Sequence, residues 1–485
     1  MHGAELICAS KGEPLVIVGF PSIAVVIAII LPGQGEFVPR SIVCTLVEPV
    51  VEFTMRLQLS SSSDMAYGEI LNKYRPDLRP FEDVYRRLHS SPELSGQEEQ
   101  TAAVAAEFLT DLGYEVHTHI GGYGVAGVLR NGPGPTVLVR ADMDGLPVEE
   151  KTGLPYASKK RVKDARDGVV KHVMHACGHD THVTTLAAAA TLLHSARSHW
   201  SGTLVCIFQP AEEHLDGAKA MIVDGLYEKV PKPDYVLAQH VMKMRTGSVG
   251  IRAGPMLTAS DALDVRIFGK GGHGSAPHVC IDPVLIGASI VTRLQSIVSR
   301  EVTPGQLAVV TCGSIHAGNA ANIIPDHLDL QLSIRTYNPI IRERVLAAVH
   351  RIIEAECDAA GTVEKPVIKT VSSAPATVND EGMVKILRAT FCSYFKEDLV
   401  EAEPATASED FSLLATEVGA PYVMWGFGGT DAKTWDDAVA KGTVDKLPSN
   451  HSPYFAPVIE PTLRTGVDAM ALAALTFLWG KTSSQ

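Results

Sequence analysis

The segment His175-Ala176-Cys177-Gly178-His179-Asp180 sets a thiol and an imidazole two residues apart with a glycine between them. Glycine lets the backbone turn sharply, so Cys177 and His179 can converge on one metal ion. Taken alone, Cys-Gly-His reads first as a buried cysteine beside a polar histidine. The adjacent acids Glu212 and Glu213 sharpen the choice. They follow the apolar run 203–208 and the turn Gln209-Pro210, so they sit at the carboxyl end of a predicted strand, where α/β proteins build their sites. Neighbouring carboxylates repel. A metal site gives them separate tasks, one binding metal and the other handling a proton, whereas the competing account is an exposed acidic loop.

Two further histidines belong to the same argument. His240 follows the apolar run 235–238, and His451 lies in Leu447-Pro448-Ser449-Asn450-His451-Ser452-Pro453. Either one alone reads as a core or surface histidine. Together, Cys177, His179, Glu213, His240 and His451 offer S, N and O donors suited to zinc or a similar transition metal. Five donors and a bridging water suffice for a pair of ions. In Arg140-Ala141-Asp142-Met143-Asp144-Gly145-Leu146-Pro147 two carboxylates close another predicted strand. An acid that orients a ligating imidazole is their expected use, against a pair of solvated turn acids.

The elements that must hold these residues follow from periodicity. Helical spacing covers 81–88 and 98–112, with Pro92-Glu93-Leu94-Ser95 between them, and strands are predicted at 114–118, 124–129 and 136–140. A helix over 184–193, a strand over 203–208 and a helix over 218–224 continue the α/β alternation, which resumes after residue 374 and closes with an apolar helix over 461–478. Between the halves, strands at 262–268, 307–315, 327–336 and 363–371 and helices at 282–299 and 341–360 give the order β-α-β-β-α-β, that of a ferredoxin-like unit. The expected fold is α/β, a catalytic domain in two parts (67–260 and 374–485) with a central sheet flanked by helices. A ferredoxin-like α+β unit (261–373) is inserted as a lid, behind an N-terminal extension (1–66).

The 485 residues, 46% hydrophobic and 20% charged, suit a globular enzyme of two or three domains. A net charge of −13, with the acids spread along the chain rather than gathered into a tail, argues against nucleic acid as the main partner. The eight cysteines, Cys8, Cys44, Cys177, Cys206, Cys280, Cys312, Cys357 and Cys392, show no disulfide framework, and all but Cys177 read as small buried hydrophobes of a reducing compartment. The run 15–31 is uncharged and mostly apolar, a little short of the roughly 20 residues of a spanning helix. It reads as a membrane anchor, a targeting segment or a nonessential extension of an otherwise cytoplasmic protein. Ser60 to Ser63 read as a linker, with the folded enzyme starting near Tyr67.

From Phe81 to Leu478 the chain resembles the aminoacylase/carboxypeptidase metallohydrolases, specifically the amidohydrolase branch with hippurate hydrolases and indole-acetyl-amino-acid hydrolases. The matching segments, in order, are Leu88 to Ser95, Arg140 to Pro147, His175 to His182, Gln209 to Glu213, Gly271-Gly272-His273-Gly274-Ser275-Ala276-Pro277-His278, Asn322-Ile323-Ile324-Pro325 and Ser408-Glu409-Asp410-Phe411. The resemblance implies two divalent ions per subunit, zinc with manganese or cobalt as alternatives, held by Cys177, His179, Glu213, His240 and His451. It implies Glu212 as the general base and acid and Asp144 as its catalytic companion. The lid is implied to form a homodimer and to carry His273 to the partner's site as an oxyanion donor. Asn322 and Arg335 are implied to hold the substrate's carbonyl and carboxylate.

The activity implied is hydrolysis of an N-acyl or N-aroyl amino acid by metal-activated water, with a small molecule rather than nucleic acid as partner. A dipeptidase or carboxypeptidase using the same metals is the nearer alternative, and a non-catalytic metal-binding dimeric scaffold is the alternative of another class.

Overall fold

The structure is a computed structural model that describes residues 62–480; the apolar run 15–31 lies outside them. Among the described residues no helix is long and apolar enough to cross a membrane. The first described element, α1 (Ser62–Tyr74), begins inside the serine run, ahead of Tyr67.

The first part of the chain continues as α2 (Arg79–Ser90), α3 (Glu99–Asp111), β1 (Glu115–Ile120), β2 (Gly124–Arg130) and β3 (Thr136–Asp142). A small hairpin, β4 (Arg161–Lys163) and β5 (Val170–His172), precedes α4 (His179–Ser195), β6 (Thr203–Gln209), α5 (Gly217–Val223), β7 (Tyr235–Arg245) and β8 (Val249–Ile251). The smaller unit then comprises β9 (Ala259–Phe268), α6 (Pro283–Ser296), β10 (Ala308–Ala317), β11 (His327–Thr336), α7 (Pro339–Ala359) and β12 (Val367–Ala374). The chain closes with α8 (Glu381–Phe395), β13 (Leu399–Glu401), β14 (Tyr422–Thr430) and α9 (Ile459–Phe477).

Eight strands form the main sheet in the order β1-β2-β6-β3-β7-β14-β8-β13. Its centre, β6, β3, β7 and β14, is parallel. These strands are apolar on both faces because helices cover both. Along β3, Val137 and Val139 join one core with α3, α4 and α9, while Leu138 joins the opposite core with Val205, Val236 and Met221. The parallel centre points its carboxyl ends the same way, so Asp142, Gln209 and the residues after it are delivered to one rim.

The smaller unit is a four-stranded antiparallel sheet, order β10-β11-β9-β12. Leu328, Leu330, Leu332 and Ile334 of β11 alternate inward to pack with α6 and α7. Its entry and exit segments pair with each other, Gly254–Leu257 against Thr377–Asn379.

The three boundaries furthest from the periodicity reading each differ for a tertiary reason. Helix α4 starts at His179, five residues early, because Gly178 adopts φ 87° and turns the chain into the helix at once. Strand β7 runs on to Arg245, which puts His240 inside the strand, since β14 pairs along its length. The last strand of the smaller unit is displaced to Val367–Ala374 by its pairing with β9.

Candidate metal centre

The sharp turn at Gly178 fixes the first two donors. A Cβ at Gly178 would lie 2.5 Å from Val241 Cγ1, so the close approach of this turn to β7 admits only glycine. His179 opens α4 and is fully buried. Its Nδ1 lies 3.2 Å from Asp144 Oδ1. Its Nε2 has no hydrogen-bond partner but faces Asp142 Oδ2 at 3.6 Å, Glu212 Oε2 at 3.8 Å and Glu213 Oε1 at 3.9 Å.

The remaining donors close around this atom. Cys177 Sγ is 3.5 Å from His240 Nε2. His240 Nδ1 donates to the Val241 carbonyl at 2.8 Å, which leaves Nε2 as the lone-pair nitrogen facing the thiol. Glu213 Oε1 is buried without a hydrogen bond and stands 3.3 Å from His451 Nε2. All five residues expected to bind metal are therefore brought together, and Cys177, His179 and Glu213 offer ligand atoms within 4.8 Å of one another. Asp144, His179 and Glu212 do the same.

The chemistry of this donor set fits divalent cations. Buried carboxylates at this density are costly without positive charge. The two orphaned atoms, His179 Nε2 and Glu213 Oε1, are the groups that a cation satisfies. Burial, then the Glu213 charge, push the Cys177 thiol up, so cation binding is what favours the thiolate.

Glu212 sits in a turn flanked by left-handed residues, Ala211 at φ 51° and Leu215 at φ 56°. Such backbone strain in non-glycine residues concentrates at functional sites. Glu212 is buried, and burial together with the Glu409 and Glu213 charges raises its carboxyl well above the usual range. A carboxyl in such surroundings is able to hold a proton as well as to release one. The exposed acidic loop is excluded for Glu212, and the solvated turn acids are excluded for Asp142 and Asp144, which are at most 1% exposed.

His182 closes the segment His175 to His182, and its geometry shows a supporting task. Nδ1 bonds Asp142 Oδ1, and Nε2 accepts the Val241 amide at 2.8 Å, so both ring nitrogens are engaged. Its ring packs edge-on to His240 at 4.4 Å between centroids. Asp142 is held in turn by Arg140 Nη1 at 2.7 Å, and Arg140 Nη2 bonds Glu409 Oε1 at 2.7 Å. Burial would raise Asp142, but Arg140, His179 and His182 hold it well below the usual carboxylate range.

Sequence reasoning missed this Arg140–Glu409 support and also Glu98, whose Oε1 accepts the Ala211 amide at 2.8 Å beside the Glu212 turn. The available signals were an arginine inside the apolar strand Thr-Val-Leu-Val-Arg-Ala-Asp and the acids of Ser408-Glu409-Asp410.

The substrate residues divide. Arg335 on β11 is half-buried and has no carboxylate partner among the described residues. Its Nη1 is anchored by Ser408 Oγ at 2.7 Å and the Thr406 carbonyl at 3.3 Å, while the Nε–Nη2 edge makes no hydrogen bond. Ser408 adjoins Glu409, so Arg335 reaches the cluster's supporting network through one residue. His273 and Asn322 lie elsewhere, exposed and side by side on the ribbon where Gly272–His273 pairs with Ile323–Ile324. Gly274 N donates to the Asn322 carbonyl at 2.8 Å, and among the described residues no hydrogen bond joins either side chain to the acid and histidine cluster.

Residues 138–475 match Peptidase family M20/M25/M40. A hippurate hydrolase from Campylobacter jejuni is 40% identical over 337 residues, 69% of this chain and 84% of the relative. Thermostable carboxypeptidase 1 of Saccharolobus solfataricus is 37% identical over 423 residues, 84% and 99% of the two chains. The solved structure of a dinuclear metal-binding peptidase of the M20 family from Bacillus subtilis superposes with a TM-score of 0.64 at 26% identity, covering 82% of this chain and 98% of that one.

Proposed function

The chain belongs to Peptidase family M20/M25/M40 and is a metal-dependent hydrolase of amide bonds; from that premise we propose that it cleaves the amide of N-acyl or N-aroyl amino acids. We assign Cys177, His179, Glu213, His240 and His451 as ligands of two divalent cations, zinc being the ion best matched to thiolate and imidazole donors. The cations, when bound, polarise the amide carbonyl and make water acidic enough to lose a proton near neutrality.

Everything else falls to side chains. Glu212 accepts the water proton on its carboxylate and returns it to the leaving amine, the work its raised affinity for protons suits. Asp144 fixes the His179 ring through Nδ1. Arg335 presents its unused Nε–Nη2 edge to both oxygens of the substrate carboxylate. His273 and Asn322, set on an exposed ribbon away from the cluster of their own chain, serve the carbonyl oxygen in the site of a second copy within a homodimer.

The observation that carries the reading is Arg335: a half-buried cation with a bidentate edge and no counterion among the described residues asks for an anionic ligand. A carboxypeptidase or dipeptidase reading satisfies the same edge and is favoured by the likeness to the thermostable carboxypeptidase. Initial rates on N-benzoylglycine and on glycylglycine, with zinc, manganese or cobalt restored to the apoprotein, separate the two. Turnover of the blocked substrate is expected; turnover confined to the free-amine substrate refutes the proposal.

A further inference from the structure

Away from the acid and histidine cluster, residues 159–172 oppose the charge of the whole chain. They carry six cations, Lys159, Lys160, Arg161, Lys163, Arg166 and Lys171, against two acids, Asp164 and Asp167, in a protein of net charge −13. Both acids are engaged by one cation, Lys171, at 2.7 and 2.6 Å. Lys160 Nζ donates to the Ser91 carbonyl. Lys159, Arg161, Lys163 and Arg166 are exposed, with no carboxylate partner among the described residues. Unpaired like charges on one short hairpin repel each other and contribute nothing to folding.

The hairpin is fixed beside the site. Gln97 grips it twice, accepting the Ala165 amide at 2.9 Å and donating to the Lys163 carbonyl at 3.3 Å. The same loop carries Ser95, which donates to Asp144 at 2.6 Å, and Glu98, which holds the Ala211 amide just before Glu212. One loop therefore joins the cationic hairpin to both catalytic acids.

We propose that the β4–β5 hairpin is an electrostatic guide at the rim of the site, drawing carboxylate-bearing substrates toward a protein whose overall charge repels them. The inference rests on the reading that the substrate carries a carboxylate. Fixed charges act over about a Debye length, roughly 30 Å at 0.01 M salt and 3 Å at 1 M, so cations on the rim concentrate anions at the opening without touching them in the bound state. The attraction scales with substrate charge.

The test is Arg161→Glu/Arg166→Glu in the full-length, metal-loaded protein. Its kcat/KM is compared with wild type on N-acylglutamine, a monoanion, and N-acylglutamate, a dianion of nearly the same shape, at about 0.01 M and about 1 M salt. We expect a loss of about threefold on the monoanion and about ninefold on the dianion at low salt, vanishing at high salt. Equal losses on both substrates, losses that persist at high salt, or no loss at all overturn the guide. Failure of the metal-loaded wild type to hydrolyse either substrate instead removes the substrate reading, and this inference with it.

Discussion

Arg335→Ala is the substitution that most directly probes how this protein reads its substrate. In the structure Nη1 is already committed to Ser408 Oγ and the Thr406 carbonyl, so the substrate can claim only the Nε–Nη2 edge, two parallel charge-assisted hydrogen bonds. Each bond of this kind contributes about 1.5–3 kcal/mol. Half-burial discounts the pair, leaving about 3–4 kcal/mol in total, a loss of about 10²- to 10³-fold in kcat/KM. The assay compares an N-acyl amino acid with its carboxamide. Wild type should prefer the acid by the same factor, and Arg335→Ala should erase the preference by slowing the acid alone. Arg335→Lys should recover part of the loss, because an ammonium supplies charge without the planar fork. Ser408→Ala controls for the anchor, since it removes one bond to Nη1 while leaving the free edge intact. A loss below about tenfold on the acid, or an equal loss on acid and amide, would falsify the assignment.

Four other outcomes follow from the same geometry. Glu212→Gln should lower kcat by about 10²- to 10⁴-fold while elemental analysis finds the metal content of wild type; unchanged activity would return the protein to a non-catalytic metal-binding scaffold. Cys177→Ala should lose metal stoichiometry, and retention of both ions would remove Cys177 from the ligand set. His182→Asn, which frees the Val241 amide and the face of His240, should weaken metal affinity by about 10- to 100-fold in a chelator competition, with a smaller effect on the rate of the fully loaded enzyme. His89 lies buried between Asp180 at 2.7 Å and Glu150 at 3.1 Å; although burial opposes protonation, these two acids raise it from 6.5 to about 10. A raised value means the stabilisation is complete below pH 6.5 and fades as pH climbs toward 10, so His89→Gln should flatten denaturant stability across that window, and an unchanged slope would refute the pairing.

Much of the donor set was legible because donor chemistry is local. Cys177, His179, Glu212 and Glu213 stand next to turns and strand ends that periodicity locates without tertiary information. His240 and His451 were harder, being single histidines, and His451 stands outside any helix or strand at φ 71°. The order β-α-β-β-α-β was readable from alternation over 262–371, yet the pairing order β10-β11-β9-β12 is a property of the folded sheet.

Residue types and their spacing thus singled out atoms that could bind metal, and the family resemblance implied which acid would move a proton and which arginine would hold a carboxylate. Only the tertiary structure decided what each group does with its remaining valences. His182 and His240 are both histidines near the cluster, but the Val241 amide occupies one and leaves Nε2 of the other bare. Arg140 and Glu409 are 269 residues apart, and only the folded sheet brings them to 2.7 Å. Among the described residues Arg335 has no counterion because the loop it meets offers a hydroxyl and a carbonyl, not a carboxylate. Sequence supplies the donors; burial and the partners found across the fold decide their protonation, their orientation and which lone pairs stay free.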